Sequence, residues 1–130
     1  MKILFVCKHN RFRSKIAEAA FKKFNKNKSI KVSSAGVFKG IPVSENVLKI
    51  GKEINLNINK KTSGLDEKKM KGTDLVVIVA NDVPKSIFKN KTKKIIQWNI
   101  SDVTQDNKEK IRFIAEQIVN KVKGLIEELK

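Results

Sequence analysis

Residues Ile3-Leu4-Phe5-Val6 form an unbroken apolar run of strand length, and one short loop later the chain already reads as a helix, Ile16-Ala17-Glu18-Ala19-Ala20-Phe21. A strand that is apolar on both faces belongs inside a sheet, and a strand that feeds a helix sets up a parallel crossover. Ile16, Ala17, Ala20, Phe21 and Phe24 recur at helical spacing and give that helix one apolar stripe. Its pattern dissolves in Asn25-Lys26-Asn27-Lys28, and Ile30 to Ser34 then alternates as a short strand closed by Ala35-Gly36. A βαβ unit of this size is expected to be parallel and right-handed.

The remaining patterns extend the same architecture. Leu75-Val76-Val77-Ile78-Val79 is a continuous apolar run suited to a central parallel strand, ended by Asn81, Asp82 and Pro84. Lys94 to Trp98 reads as the fourth strand. Ser44 is placed to cap a helix with Val47, Leu48, Gly51 and Ile54 inward. The Lys-rich stretch 55–73 is expected to hold a turn at Thr62-Ser63-Gly64 and a short helix anchored by Leu65 and Met70. Pro84 to Phe88 reads as another short helix. From about Lys108, Ile111, Ile114, Ala115, Ile118, Val119, Val122, Leu125, Ile126 and Leu129 share one helical face, expected to pack on the sheet. With 130 residues, 40% of them hydrophobic, the whole span 1–130 fits one α/β domain. The expected form is a three-layer sandwich with a central four-stranded parallel sheet flanked by helices.

The loop between the first strand and first helix carries the chemistry. It reads Cys7-Lys8-His9-Asn10-Arg11-Phe12-Arg13-Ser14, with the chain's only cysteine at its start and an arginine at its end. Helix N-termini present unpaired N–H groups and a positive dipole end, so a loop folded over one cradles an oxyanion. A thiol held there is favoured as thiolate. Arg13 offers a planar fork of donors to tetrahedral oxyanions, in a chain where only three of 29 cationic side chains are Arg. C-x5-R-S is therefore read as a phosphate-binding loop with its own nucleophile; the competing reading makes Cys7 a small core residue at a strand end. Lys8, His9, Asn10, Arg11, Phe12 and Ser14 would surround the bound oxyanion. Asn10 is the residue suited to a left-handed turn there. Ser34 comes to the same sheet edge, either supporting the loop or as an ordinary turn serine.

Composition excludes several alternatives. One cysteine permits no intrachain disulfide and suits a reducing compartment, and one His with one Cys makes no ordinary zinc site. No metal or cofactor is expected. No apolar stretch approaches a membrane span and no signal-like start is visible, so a cytoplasmic location without membrane contact is expected. The formal charge of +16 would attract anions of every kind. The lysines are scattered, aromatics are 6% and Tyr is absent, which argues against nucleic acid as partner and for a solvated lysine-rich surface.

Ile3 to Cys7, Asn10, Arg13-Ser14 and Ile16 to Ala19 resemble the N-terminal signature of the low-molecular-weight protein tyrosine phosphatases, whose fold and loop are shared by thioredoxin-coupled arsenate reductases. The resemblance continues through Ser34-Ala35-Gly36, Gly40-Ile41-Pro42, Asp74 to Val77 and Trp98 to Asp102. It implies Cys7 as nucleophile, Arg13 as oxyanion clamp, a hydrogen bond between Ser34 and Asn10, and Asp102 as general acid. The family's acid sits in an Asp-Pro pair, whereas Asp102 precedes Val103; Asp106 is the rival and Asp82 the third choice. The aromatic residues that follow the family's acid are replaced by Val103 and Thr104, leaving Phe12, His9, Phe38 and Trp98 to wall a phenyl ring. His9 stands where the family usually has Gly, as a loop donor, a substrate-facing ring or, the preferred reading, filler. Phe12 replaces the second cysteine that many members carry, so Cys7 lacks a disulfide partner against overoxidation.

Three functions are therefore expected in order. First is metal-independent hydrolysis of phosphotyrosine or small aryl phosphates through a phosphocysteine, on a phosphorylated protein or small ester. Second is arsenate reduction with an external thiol. Third is a non-enzymatic basic module that holds phosphate or nucleic acid.

Overall fold

The computed structural model describes residues 1–130. Its elements in chain order are β1 (Lys2–Cys7), α1 (Arg13–Phe24), β2 (Lys31–Gly36), α2 (Glu45–Glu53), α3 (Glu67–Met70), β3 (Leu75–Val79), a 3₁₀ turn (Lys85–Phe88), β4 (Lys94–Trp98) and α4 (Lys108–Glu128). The four strands form one parallel sheet in the order β2-β1-β3-β4. β1 and β3, the two unbroken apolar runs, are its central strands, with Phe5 opposite Ser34 on one side and Val77 on the other. The chain steps outward from β1 to β2 and then back across to β3. The loops after β1 and β3 consequently part at the carboxyl edge, the place where open parallel sheets hold ligands.

Alternation along each strand divides the core into two layers. Ile3, Phe5, Leu75, Val77, Val79 and Trp98 face α1, α2 and α4. Leu4, Val6, Val76 and Ile78 face the other way, against Phe88, with Leu65 and Met70 packed on them. The three-layer expectation therefore holds. The apolar stripe of α4 packs together with α1 and α2 over the sheet face that carries Phe5, Val77 and Trp98. One detail differs from the periodicity reading. In α2, Ile50 joins Val47 and Gly51 in the buried set, while Leu48 is half-buried.

Caps follow the sequence signals. Ser44 Oγ accepts from the Val47 N–H at 3.3 Å, and Asn107 caps α4 in the same way through the Lys110 N–H at 3.1 Å. α1 is the exception: Phe12 at its N-cap gives no side-chain acceptor. The first-turn amides of α1 are left to the loop before it. No helix is long and apolar enough to cross a membrane.

Candidate active site

The loop from Cys7 to Arg13 rests on a chain of hydrogen bonds whose direction, from Ser63 as far as Ser14 and Glu18, is fixed by what each atom can do. The Ser63 N–H can only donate, and it points at Asn10 Oδ1 at 2.8 Å. Asn10 Nδ2 must then be the donor on the other side, to Ser14 Oγ at 2.7 Å and Ser34 Oγ at 2.9 Å. Ser34 Oγ passes its own proton to Glu18 Oε1 at 2.6 Å. Ser14 Oγ lies 3.0 Å from Cys7 Sγ, and its hydroxyl is the donor of that pair when the sulfur is a thiolate. The Ser14 N–H reaches the same sulfur at 3.4 Å. Cys7 is 2% exposed, and the Ser14 N–H and hydroxyl both face its sulfur, an arrangement that suits a thiolate.

Asn10 takes φ 55°, the left-handed conformation that Asn tolerates. The hydrogen bond to Ser34 implied by the resemblance is present. Gly36, opposite Cys7 in the register, lets the loop lie this close: a Cβ there would sit 2.5 Å from His9 C and 2.6 Å from Asn10 N. The loop is also stitched to the strand that follows, through Val37 N–H to Cys7 O at 3.1 Å and Phe38 N–H to Lys8 O at 2.9 Å.

Arg13 is 2% exposed and held from two loops. Its Nη1 donates to Ile100 O at 3.0 Å, and its Nη2 lies 3.0 Å and 3.2 Å from the two carboxylate oxygens of Asp82. These leave Nε–H and one hydrogen on each Nη for an oxyanion. Asp102 Oδ1 stands 4.0 Å from Nε and accepts the Val103 N–H at 2.9 Å; its side chain is 47% exposed. Asp82, third choice as acid in the sequence, is instead the carboxylate that anchors Arg13.

Lys15, on the first turn of α1, is 4% exposed and donates from Nζ to Lys61 O. Burial pushes its pKa below the ordinary lysine value, with Glu18 opposing that fall. Lys69 Nζ donates to Ser34 O at 3.0 Å. Segment 61–63 is thus tied beneath the loop by Lys15 as well as Asn10.

Past Arg13 an open cleft of about 740 Å³ is lined by His9, Arg11, Ile41 and the run Asp102 to Asp106. His9 packs its ring on Phe38 at 6.0 Å between centroids. Two of the expected wall residues are elsewhere. Phe12, expected to touch substrate, is 1% exposed in the core beside α1, because the N-terminal turn of the helix points its side chain inward. Trp98 packs against Phe5 at 6.2 Å beneath the sheet. Lys8 is half-buried at the strand end. No three His, Cys, Asp or Glu side chains converge as metal ligands.

Sequence spacing brought Cys7, Asn10, Arg13, Ser14 and Ser34 to one place. It missed Asp82 as the arginine's anchor, Glu18 and Ser63 as partners of the support network, and Lys15. Only Glu18, one turn after Ser14 on the same helix, left a local signal.

The family model described as low molecular weight phosphotyrosine protein phosphatase matches residues 2–130. Among solved structures, an arsenate reductase from Archaeoglobus fulgidus is 30% identical, with 96% of this chain and 98% of that chain covered at TM-score 0.79. A low molecular weight protein tyrosine phosphatase from T. tengcongensis is 29% identical, covering 98% and 99% at TM-score 0.85. The YwlE arginine phosphatase from Geobacillus stearothermophilus shares the fold at TM-score 0.86, with 22% identity and 98% and 92% covered. With the match running almost from end to end, on a parallel sheet whose first loop carries Cys7 and Arg13, the chain belongs to the low molecular weight phosphotyrosine protein phosphatase family.

Proposed function

We propose that this chain is a metal-independent cysteine phosphatase that hydrolyses phosphotyrosine or small aryl phosphate monoesters through a phosphocysteine. The observation that carries this reading is the Ser14 N–H donating to Cys7 Sγ with the Ser14 hydroxyl 3.0 Å from the same sulfur, and a buried arginine whose remaining N–H groups are free. The Cys7 thiolate attacks phosphorus in line, and the bond to the ester oxygen breaks. Arg13 and the loop amides hold the equatorial oxygens through the charge build-up, supplying the positive charge themselves. Asp102 gives its proton to the departing oxygen. As a carboxylate it then takes a proton from water, which attacks the phosphocysteine, releases phosphate and restores the thiolate.

The test is hydrolysis of para-nitrophenyl phosphate and phosphotyrosine in the presence of chelator, by wild type and Cys7→Ser. Turnover is expected to survive the chelator and to vanish in the variant. A folded, reduced wild type without turnover overturns the phosphatase reading.

A second reading is favoured by the likeness to the Archaeoglobus fulgidus arsenate reductase. The same loop geometry suits arsenate, which Cys7 would attack at arsenic, forming a sulfur–arsenic bond as an arsenic–oxygen bond breaks and its oxygen leaves as water. With a single cysteine in the chain, an external thiol must then attack Cys7 Sγ, releasing arsenite and leaving a mixed disulfide that a second thiol reduces. Thiol-dependent arsenite formation without ester hydrolysis would select this reading.

A further inference from the structure

Only two buried side-chain polar atoms in the molecule lack a hydrogen-bond partner, and both lie in this loop: His9 Nδ1 and Arg11 Nε. Buried polar groups are almost always paired, so two exceptions in one place ask for a reason. Arg11 is also the only arginine without a carboxylate partner. Arg13 pairs with Asp82, and Arg112 with Glu53 and Glu109. Arg11 stays unpaired although Asp102 and Asp106 line the same cleft.

That cleft begins where the phosphate site ends. With phosphorus over Cys7 and Asp102 reaching the ester oxygen, the leaving group extends between His9 and Arg11 on one wall and Asp102 to Asp106 on the other. The Arg11 guanidinium is a fork of donors suited to carboxylate or phosphate, and His9 is braced beside it on Phe38. On the opposite wall Asp102 carries a proton when it serves as acid, and Asp106 is exposed at the mouth, so an anion is directed to the Arg11 side.

We infer that Arg11 and His9 form a second anion subsite, selecting phosphomonoesters whose leaving group bears a carboxylate or comparable anionic group. This rests on the phosphatase reading for its kinetics but not for its binding. The general field of a +16 chain attracts every anion and discriminates by total charge alone. A built subsite discriminates by position.

The experiment compares 4-carboxyphenyl phosphate with its carboxamide analogue. The difference in leaving-group reactivity is common to all enzyme variants, so the reading is the change in the kcat/KM ratio between proteins. Arg11→Gln is expected to lower the carboxylate-to-carboxamide ratio about tenfold, the size of one charge-assisted contact. Arg11→Lys is expected to recover part of it. Lys31→Gln, on the far edge of the sheet, removes the same charge and is expected to leave the ratio as in wild type. Calorimetric binding of both esters to Cys7→Ser, with and without Arg11→Gln, asks the same question where no turnover occurs. A ratio that Arg11→Gln and Lys31→Gln change equally, or Cys7→Ser binding that ignores the carboxylate, overturns the subsite. Absent turnover with preserved carboxylate-selective binding overturns the phosphatase reading alone.

Discussion

At the floor of the candidate active site the polar groups are in register with one another: the Ser63 N–H gives to Asn10, Asn10 to Ser14 and Ser34, Ser34 to Glu18, and the Ser14 N–H to Cys7. At the rim, His9 Nδ1 and Arg11 Nε of the same loop have no partner, and Asp102, after β4, is half out in solvent. The floor is a closed network of buried, mutually paired groups that holds the loop and its sulfur in one arrangement, while Asp82 and Ile100 fix the arginine beside it. The rim is an open set of groups with capacity left over. Chemistry that must be held to fractions of an ångström belongs to the first kind of region, and choice of substrate to the second.

That contrast can be broken from either side. The largest expected effect is at Asp102, the proposed acid on the rim. Asp102→Ala should slow hydrolysis by about 10²–10⁴ for phenyl or alkyl leaving groups and much less for para-nitrophenyl, whose departure needs little protonation. A series of aryl phosphates measured against leaving-group acidity checks this; an unchanged rate with poor leaving groups moves the acid to Asp106. Next comes the floor. Gly36→Ala places a methyl group against the backbone of His9 and Asn10, and the loop must shift to make room. Activity is expected to fall about 10²-fold, with a stability loss of about 1–3 kcal/mol by denaturant titration. Retained activity would show that the floor tolerates displacement and that its network is not what positions Cys7.

The smallest effect comes from a region outside the contrast. Asp74, at the amino edge of the sheet, accepts the Lys2 N–H at 2.8 Å and pairs with Lys93 at 3.3 Å. The Lys2 hydrogen bond first, then Lys93, holds its pKa below the ordinary value of 3.8. A depressed carboxylate contributes stability above its unfolded pKa and loses it as pH falls through the folded one. Asp74→Asn should therefore lower the melting temperature by a few degrees at neutral pH. The difference from wild type should close as pH drops below the unfolded value, with activity at pH 7 unchanged.

Most of the fold could be read in advance because its signals are local. Apolar runs marked β1 and β3, the stripe from Ile111 to Ile126 marked α4, and Ser44 announced its helix. The loop was legible for the same reason, since Cys7, Asn10, Arg13 and Ser14 lie within eight consecutive residues. What stayed hidden depends on who meets whom. Asp82 reads as a turn residue after a strand until the sheet order sets it beside Arg13. Lys15 is one lysine among many until α1 docks over segment 61–63 and buries it. Phe12 and Trp98, plausible as a substrate wall by type, are drawn into the core because their backbone positions face inward.

The partners that complete Arg13 and Asn10 lie far along the chain: Asp82 is 69 residues from Arg13, Ile100 is 87 from it, and Ser63 is 53 from Asn10. Each of these closures must wait for the sheet that brings the segments together, because ordering a long intervening chain is repaid only when the rest is in place. A nascent chain that has emerged through β3 carries Cys7 and Arg13 in its first loop, yet the arginine is still without the Asp82 carboxylate and the Ile100 carbonyl. In order of assembly the N-terminal loop is thus among the first segments made and among the last to become competent.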